Sequence, residues 1–309
     1  MPRIVWITGA KGFIGRHLAR HLAQSNHIVY GIGHGIWPSN ESRAWGVSGW
    51  LNSGIDIPNL EILRRQSGTP SCVFHLAGGS SVGASFASPH EDFLRTVAST
   101  AQLLEWMRTS APEAKLVAVS SAAVYGADYD EPISEDFITH PFSPYGHHKL
   151  MMEQLCRSYA DAFDLRYAIV RLFSVYGSWL QKQLLWDLCC KLDEGNAVLT
   201  LGGTGAELRD WIEVRDVVRL LELASDQEES ALILNGGTGI ATSVAQIAAL
   251  VSKSWCSSMR IEFSGNSRLG DPQRLVANRQ TLDNKGFYLE ISVEQGIENY
   301  VNWFRGVQR

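Results

Sequence analysis

The sequence predicts an α/β protein: a doubly wound parallel sheet with helices on both faces, joined to a smaller, interleaved C-terminal α/β cap. Three observations predict it. Short apolar runs alternate with helical patterns through the first half of the chain. Those runs are continuously apolar, as strands covered on both faces require. A glycine-rich turn joins the first run to the first helix. Strands are expected at Ile4 to Thr8, Ile28 to Ile32, Val73 to Ala77, Leu116 to Ser121 and Tyr167 to Leu172. Between them, Phe13 to Gln24 reads as a helix with Ile14, Leu18 and Leu22 stacked on one face. Glu91 to Ser110 and Pro144 to Ala162 read as long helices.

After Gly177 the pattern loosens into helices at Gln183 to Leu192, Val214 to Ala224 and Ser243 to Ser252, separated by glycine-rich turns. The turns LGGTG (201–205) and NGGTG (235–239) look alike but are too short to define a repeat. The expected boundary falls at 172: residues 1–172 form the first domain and 173–309 mainly the cap, with segments near 210–240 returning to the sheet.

The 309 residues are 45% hydrophobic and 19% charged, which is globular composition. A formal net charge of −5 argues against a protein that binds nucleic acid mainly by neutralising phosphates. No apolar run is long enough to span a bilayer. No charged segment, apolar stretch and cleavage site open the sequence, so a cytoplasmic protein is expected. Cys72, Cys156, Cys189, Cys190 and Cys256 match neither a metal knuckle nor a small disulfide framework, and read as buried free thiols.

Gly9, Gly12 and Gly15 lie in TGAKGFIG, after the first strand and at the start of the first helix. A dinucleotide needs that arrangement: a tight turn, close approach of the backbone to the pyrophosphate, and free N–H groups at a helix start. This makes the sheet Rossmann-type and its first domain dinucleotide-binding. The spacing G-x-x-G-x-x-G resembles the extended short-chain dehydrogenase/reductase family, of the NAD-dependent epimerase/dehydratase type. The resemblance recurs in order at HLAG (75–78), SSAAVYG (120–126), SPYGHHK (143–149), RLFSVYG (171–177), ELRDW (207–211) and RLGDP (268–272), and so covers nearly the whole chain.

Tyr145 and Lys149 are four apart, which puts both on one helix face. An ammonium beside a phenol favours phenolate, so Lys149 is expected to lower the pKa of Tyr145 and fit it for proton transfer to or from a sugar hydroxyl. The resemblance adds Ser121, with Ser120 as the neighbouring alternative, as the hydroxyl that holds the reacting oxygen. It implies cofactor contacts from Gly9, Gly12, Phe13, Ile14, Gly15, Gly33, His34, Gly54, Ile55, Leu76, Ala77, Gly78 and Phe173, besides Tyr145 and Lys149. It implies a nucleoside-diphosphate sugar as substrate, held by Ser121, Tyr145, Ser174, Arg209 and Arg268. The two arginines suit the bidentate geometry of a diphosphate. Ser174 and Thr96 stand where many relatives carry Asn. No metal is expected: His147 with His148, and His17 with His21, lack further ligands and read as surface or packing residues. Trp37, Trp45 and Trp50 likewise read as packing.

Ala122 and Ala123 stand where dehydratases carry an acid–base pair, which argues against 4,6-dehydration. The resemblance is strongest to nucleotide-sugar 4-epimerases with bound NAD. The alternative is an NADPH-dependent reductase of nucleotide 4-keto sugars. Gly33 replaces the acid that would bond the ribose 2′-OH of NAD, and Gly54, Ile55 and the displaced Asp56 replace the next acid. NADP therefore stays open as cofactor, with His34 or Arg43 for its phosphate. A non-catalytic dinucleotide sensor is the third reading, disfavoured because Ser121, Tyr145 and Lys149 are all present. A homodimer is implied through the two long helices, with Leu103, Leu104, Met107, Met152 and Leu155 as either interface or internal core.

Overall fold

The computed structural model describes residues 2–195, 198–256, 260–266 and 272–307. The chain runs β1 (Ile4–Thr8), α1 (Phe13–Gln24), β2 (Ile28–Gly33), α2 (Ser39–Ala44), β3 (Val47–Asn52), α3 (Ile57–Ser67) and β4 (Cys72–His75). It continues through α4 (Val82–Ala87), α5 (Pro89–Phe93), a π-helical turn (Leu94–Ala98), α6 (Ser99–Ser110), β5 (Lys115–Ser121), a 3-10 turn (Ala122–Val124), α7 (Pro144–Phe163) and β6 (Tyr167–Leu172). Then follow β7 (Ser174–Tyr176), α8 (Gln183–Asp193), β8 (Val198–Leu201), β9 (Leu208–Glu213), α9 (Val214–Asp226) and β10 (Ala231–Gly236). The last elements are β11 (Ala241–Ser243), α10 (Val244–Trp255), β12 (Arg260–Phe263), β13 (Arg274–Leu275), α11 (Gln280–Asn284) and α12 (Val293–Val307).

The main sheet has seven strands in the order β10-β6-β5-β4-β1-β2-β3. The pairs from β3 through β6 are all parallel. Strand order reverses between β1 and β4, the position where open sheets of this kind bind ligands beyond their carboxyl ends. The fold is the expected Rossmann type. The long helix expected from Glu91 starts at Pro89 and contains the π turn, which the 3.6-residue pattern did not reveal. Strand β3 was not separately predicted, because VSGWLN is broken by a glycine and only half buried. Helix α12 was also unpredicted, although Ile297, Tyr300, Val301 and Phe304 form a regular buried stripe.

Two compact units emerge. One comprises residues 1–125, 138–172 and 218–234; the other comprises 126–137, 173–217 and 235–309. The segment Gly126–Phe137, assigned by sequence to the first domain, clusters with the second unit. Ile133 forms a bridge to Ala277. Glu135 accepts hydrogen bonds from Asn235 N at 2.9 Å and Thr281 Oγ1 at 2.8 Å. In the second unit, β11, β9 and β13 form one small sheet with β7 added to β9, and β12 pairs with β8. The two similar glycine turns each close on a carboxylate. Glu207 Oε1 accepts from Thr204 N at 2.8 Å, and Asp210 Oδ1 from Thr238 N at 2.6 Å.

The first unit's core includes stacked Trp6 and Trp106, with ring centroids 4.8 Å apart. Leu103, Leu104, Met107 and Met152 are completely or almost completely buried in that core, and Leu155 packs against it. These five residues, weighed as dimer contacts, serve the chain's own interior. Cys72, Cys156 and Cys189 are buried free thiols as expected, whereas Cys256 is exposed.

Helix α7 is tied to the sheet by charge. Glu153 and Arg171 form a buried ion pair at 2.7 Å, both side chains 4% exposed. Ser120 Oγ donates to Glu153 Oε1 at 2.5 Å, and Arg171 Nη1 donates to the Tyr125 hydroxyl at 2.8 Å. Breaking one side of a buried pair strands the other charge. Glu153→Ala is therefore expected to destabilise the protein by about 3–5 kcal/mol, read as a loss in denaturant unfolding free energy.

Candidate active site

The glycine turn is dictated by space. A Cβ on Gly15 would lie 2.3 Å from Gly9 O and 2.8 Å from Ala10 Cα, both immovable backbone. Gly9 has φ +72°, the left-handed region, and a Cβ there would press on Ala77 N at 3.1 Å. Gly12, the N-cap of α1, makes no side-chain cap, which leaves the first N–H groups of the helix without a capping side chain. Such a helix start attracts an anionic group. The residues present therefore fit a dinucleotide's pyrophosphate.

At the end of β2, a Cβ on Gly33 would sit 3.1 Å from the ring of Trp50. Trp50 is fixed by its indole N–H to Gly35 O at 3.1 Å and by an edge contact with Trp37. Packing thus accounts for glycine at position 33. His34 and Arg43 are exposed, and Gly54 and Ile55 are half-buried beyond β3. Asp56, the displaced acid, is occupied as the N-cap of α3: its carboxylate accepts from Asn59 N at 2.9 Å and Asn59 Nδ2 at 2.8 Å.

Beyond β4, Leu76, Ala77 and Gly78 are half-buried. Ala77 N donates to Thr8 Oγ1 at 3.2 Å, and Thr8 in turn bonds His75 Nδ1 at 2.7 Å. His75 Nε2 meets Thr100 Oγ1 at 2.9 Å. Burial, aided by the Lys149 charge, pushes His75 down to about 3, so the ring is neutral. This buried relay was not foreseen, since HLAG was read for the cofactor contacts of Leu76, Ala77 and Gly78. Thr96, carried by the π turn, accepts from Gly79 N at 2.8 Å.

Helix α7 starts with Ser143 Oγ accepting from Gly146 N at 3.1 Å and Pro144 in the first turn. Tyr145 N donates to Ser85 Oγ at 3.0 Å. Gly146, Lys149, Met152, Glu153 and Cys156 make its buried stripe. Ser121, at the end of β5, lies close enough to the Tyr145 phenol to favour its ionisation. Ser120 is engaged by Glu153 and only 2% exposed. Lys149 Nζ donates to Val119 O at 2.9 Å and lies 5.9 Å from the Tyr145 ring centroid. It would be 3.2 Å from a Cβ at Gly78. Ser121, Tyr145, Lys149 and Gly78 therefore converge.

One electrostatic expectation is corrected. Tyr145 is raised above its ordinary value, by burial first, with the nearby Ser121 hydroxyl opposing and the Asp92 charge reinforcing. Lys149 is not among the causes. Burial dominates Lys149 too, pushing it down to about 8 against the support of Asp92 and Glu153. Each group is driven toward its neutral form by loss of water.

In the second unit, Phe173 is buried at 8% exposure and donates its N–H to Gly236 O at 3.1 Å. Ser174 is half-buried on β7 opposite Trp211. Arg209 Nη1 donates to Pro272 O at 2.7 Å and Leu208 O at 3.0 Å. Arg268 lies outside the described residues. The histidine pairs behave as packing or ionic groups. His148 meets Asp92, His21 meets Glu222 at 2.6 Å, and His17 packs between Phe13 and Trp45. No cluster of metal-ligating side chains occurs among the described residues.

A family model described as NAD dependent epimerase/dehydratase family matches residues 5–235. The chain belongs to that family. It is 27% identical to the putative UDP-glucose 4-epimerase of Methanocaldococcus jannaschii, over 99% of this chain and 100% of the relative. Its structure resembles UDP-glucose 4-epimerase with UDP-glucose from Thermotoga maritima: TM-score 0.90, 25% identity, 99% of this chain and 100% of the other covered. It also resembles MoeE5 in complex with UDP-glucose and NAD: TM-score 0.87, 30% identity, 99% of both chains covered. As a family member, the chain is an enzyme of the extended short-chain dehydrogenase/reductase type.

The lowered Lys149 makes stability depend on pH with a definite sign. A depressed folded-state pKa gives stability that is full above the unfolded value of 10.5 and is lost as pH falls through about 8. Relative to Lys149→Met, the wild type should therefore gain about 2–3 kcal/mol between pH 7 and pH 10, measured by denaturant unfolding at both values.

Proposed function

We propose that this enzyme is a UDP-sugar 4-epimerase working with bound NAD. The observation that carries the reading is the convergence of Tyr145, Ser121 and Lys149 beside Gly78 at the carboxyl end of the sheet. The relatives named for UDP-sugar 4-epimerisation support it over the reductase alternative.

Ser121 holds the sugar O4 while Tyr145 takes the O4 proton. NAD, when bound, would supply the reversible hydride acceptor for oxidation and re-reduction at C4. Tyr145 then gives the proton back, so no net oxidation occurs. Lys149, fixed by Val119 O, holds the nicotinamide ribose. Gly9, Gly12, Phe13, Ile14 and Gly15 hold the pyrophosphate. Gly33, His34, Gly54 and Ile55 border the adenosine, and Leu76, Ala77, Gly78 and Phe173 the remaining cofactor surface. Ser174, Arg209 and Arg268 bind the UDP-sugar. NAD is the preferred cofactor, because the matched family is NAD dependent and the similar MoeE5 structure is in complex with NAD. We place the enzyme in the cytoplasm as a homodimer. No described helix is long and apolar enough to cross a membrane. The outward Phe93, Leu94, Met151 and Phe163 on the long helices are 37–48% exposed and offer apolar contacts.

The test is incubation of purified protein with UDP-, GDP- and dTDP-hexoses without added dinucleotide. Interconversion of C4 epimers of a UDP-hexose is expected, and Tyr145→Phe should lower its rate by about 10²–10⁴-fold. Turnover only with added NADPH and a 4-keto sugar would contradict the reading.

A further inference from the structure

Among the buried charges that the mechanism leaves unused, Asp92 lies nearest the catalytic helix's Tyr145–Lys149 turn. Asp92 lies on α5 with its side chain 6% exposed. Its Oδ2 is 2.6 Å from His148 Nδ1, on the turn of α7 between Tyr145 and Lys149. The other carboxylate oxygen is wedged against the chain just past Gly78: a Cβ on Gly79 would fall 1.8 Å from Oδ1. The His148 ring, 12% exposed on its side chain, is further held by an edge contact with Phe93, the residue after Asp92. The carboxylate is thus clamped between the catalytic helix and the backbone that borders Lys149.

A charge so enclosed acts on its neighbours through little water. It is felt by both members of the pair, opposing ionisation of Tyr145 and supporting ionisation of Lys149. The other charges facing this place are few. Glu153 on α7 also supports Lys149, and His75 on β4 is neutral. On α5, Glu91 is engaged with Arg95 at 2.7 Å, both of them more than half exposed.

We propose that Asp92, clamped by His148, is a positioning residue that supplies a fixed negative charge beside Tyr145 and Lys149. It touches neither substrate nor cofactor. Its work is to keep Lys149 an ammonium at neutral pH and to hold Tyr145 as the protonated phenol until the substrate and cofactor are in place. The contact with His148 holds the carboxylate in place. This rests on the epimerase reading for its catalytic meaning, but the charge effect itself is measurable without turnover.

The experiment follows the ε-13C resonance of Lys149 by NMR titration of the whole protein, assigned by its absence in Lys149→Met. In the wild type the midpoint is expected at about 8. Asp92→Asn should lower it by about one pH unit, and His148→Asn, which keeps a neutral donor for the carboxylate, should leave it near the wild-type value. Should the amide crowd Gly79, Asp92→Ser removes the same charge with a smaller side chain and is expected to give the same displacement. A midpoint unchanged in the folded Asp92 variants overturns the inference. In the epimerase assay, the two limbs of the pH profile of Asp92→Asn should both move to lower pH, because loss of one negative charge acts on Tyr145 and Lys149 in the same direction. A purely structural role would lower the rate and leave the limbs in place. Absence of epimerase activity in the wild type would sink the functional reading and leave the NMR result to decide the charge effect.

Discussion

The site depends on one buried carboxylate. Glu153 sits one turn beyond Lys149 on α7 and reaches the sheet twice, through Arg171 on β6 and Ser120 on β5. An ion pair of this kind contributes modest net stability, because desolvation offsets most of its attraction. Its value lies in geometry. It forbids α7 to rotate or slide without stranding a charge, so the face carrying Tyr145 and Lys149 is set relative to Ser121. Hydrogen bonds at the start of the helix, from Gly146 N to Ser143 and from Tyr145 N to Ser85, fix the other end.

Burial then sets the electrostatics. Loss of water drives Tyr145 toward phenol and Lys149 toward amine. A charge that enters so buried a place acts strongly on the pair, since the surroundings screen little. A bound cation favours the phenolate by the same Coulombic effect that makes Asp92 oppose it. The neutral His75 relay beneath Ala77 adds rigidity without adding charge.

Much of this was readable in the sequence because it is local. The glycine turn, the strands of the parallel sheet and the Tyr145–Lys149 spacing each depend on residues within a few positions of one another. The engagement of Ser120 could not be read locally, because its partner, Glu153, is far along the chain. Gly33 looked like a statement about the cofactor, yet the ring of Trp50 on the neighbouring strand explains it. Asp56 looked like a displaced ligand and proved to be a helix cap. The π turn carrying Thr96 had no periodic signature. Position 92 carried no motif at all, and its pairing with His148 arises only when α5 packs on α7.

The central claim is that Tyr145 moves the O4 proton while the hydrogen on C4 never reaches solvent. A UDP-hexose deuterated at C4, converted in ordinary water, tests it directly by mass spectrometry and NMR of the product. Full retention of deuterium at C4 in the epimerised sugar is the predicted result. Exchange of that deuterium for solvent hydrogen during turnover would contradict the account.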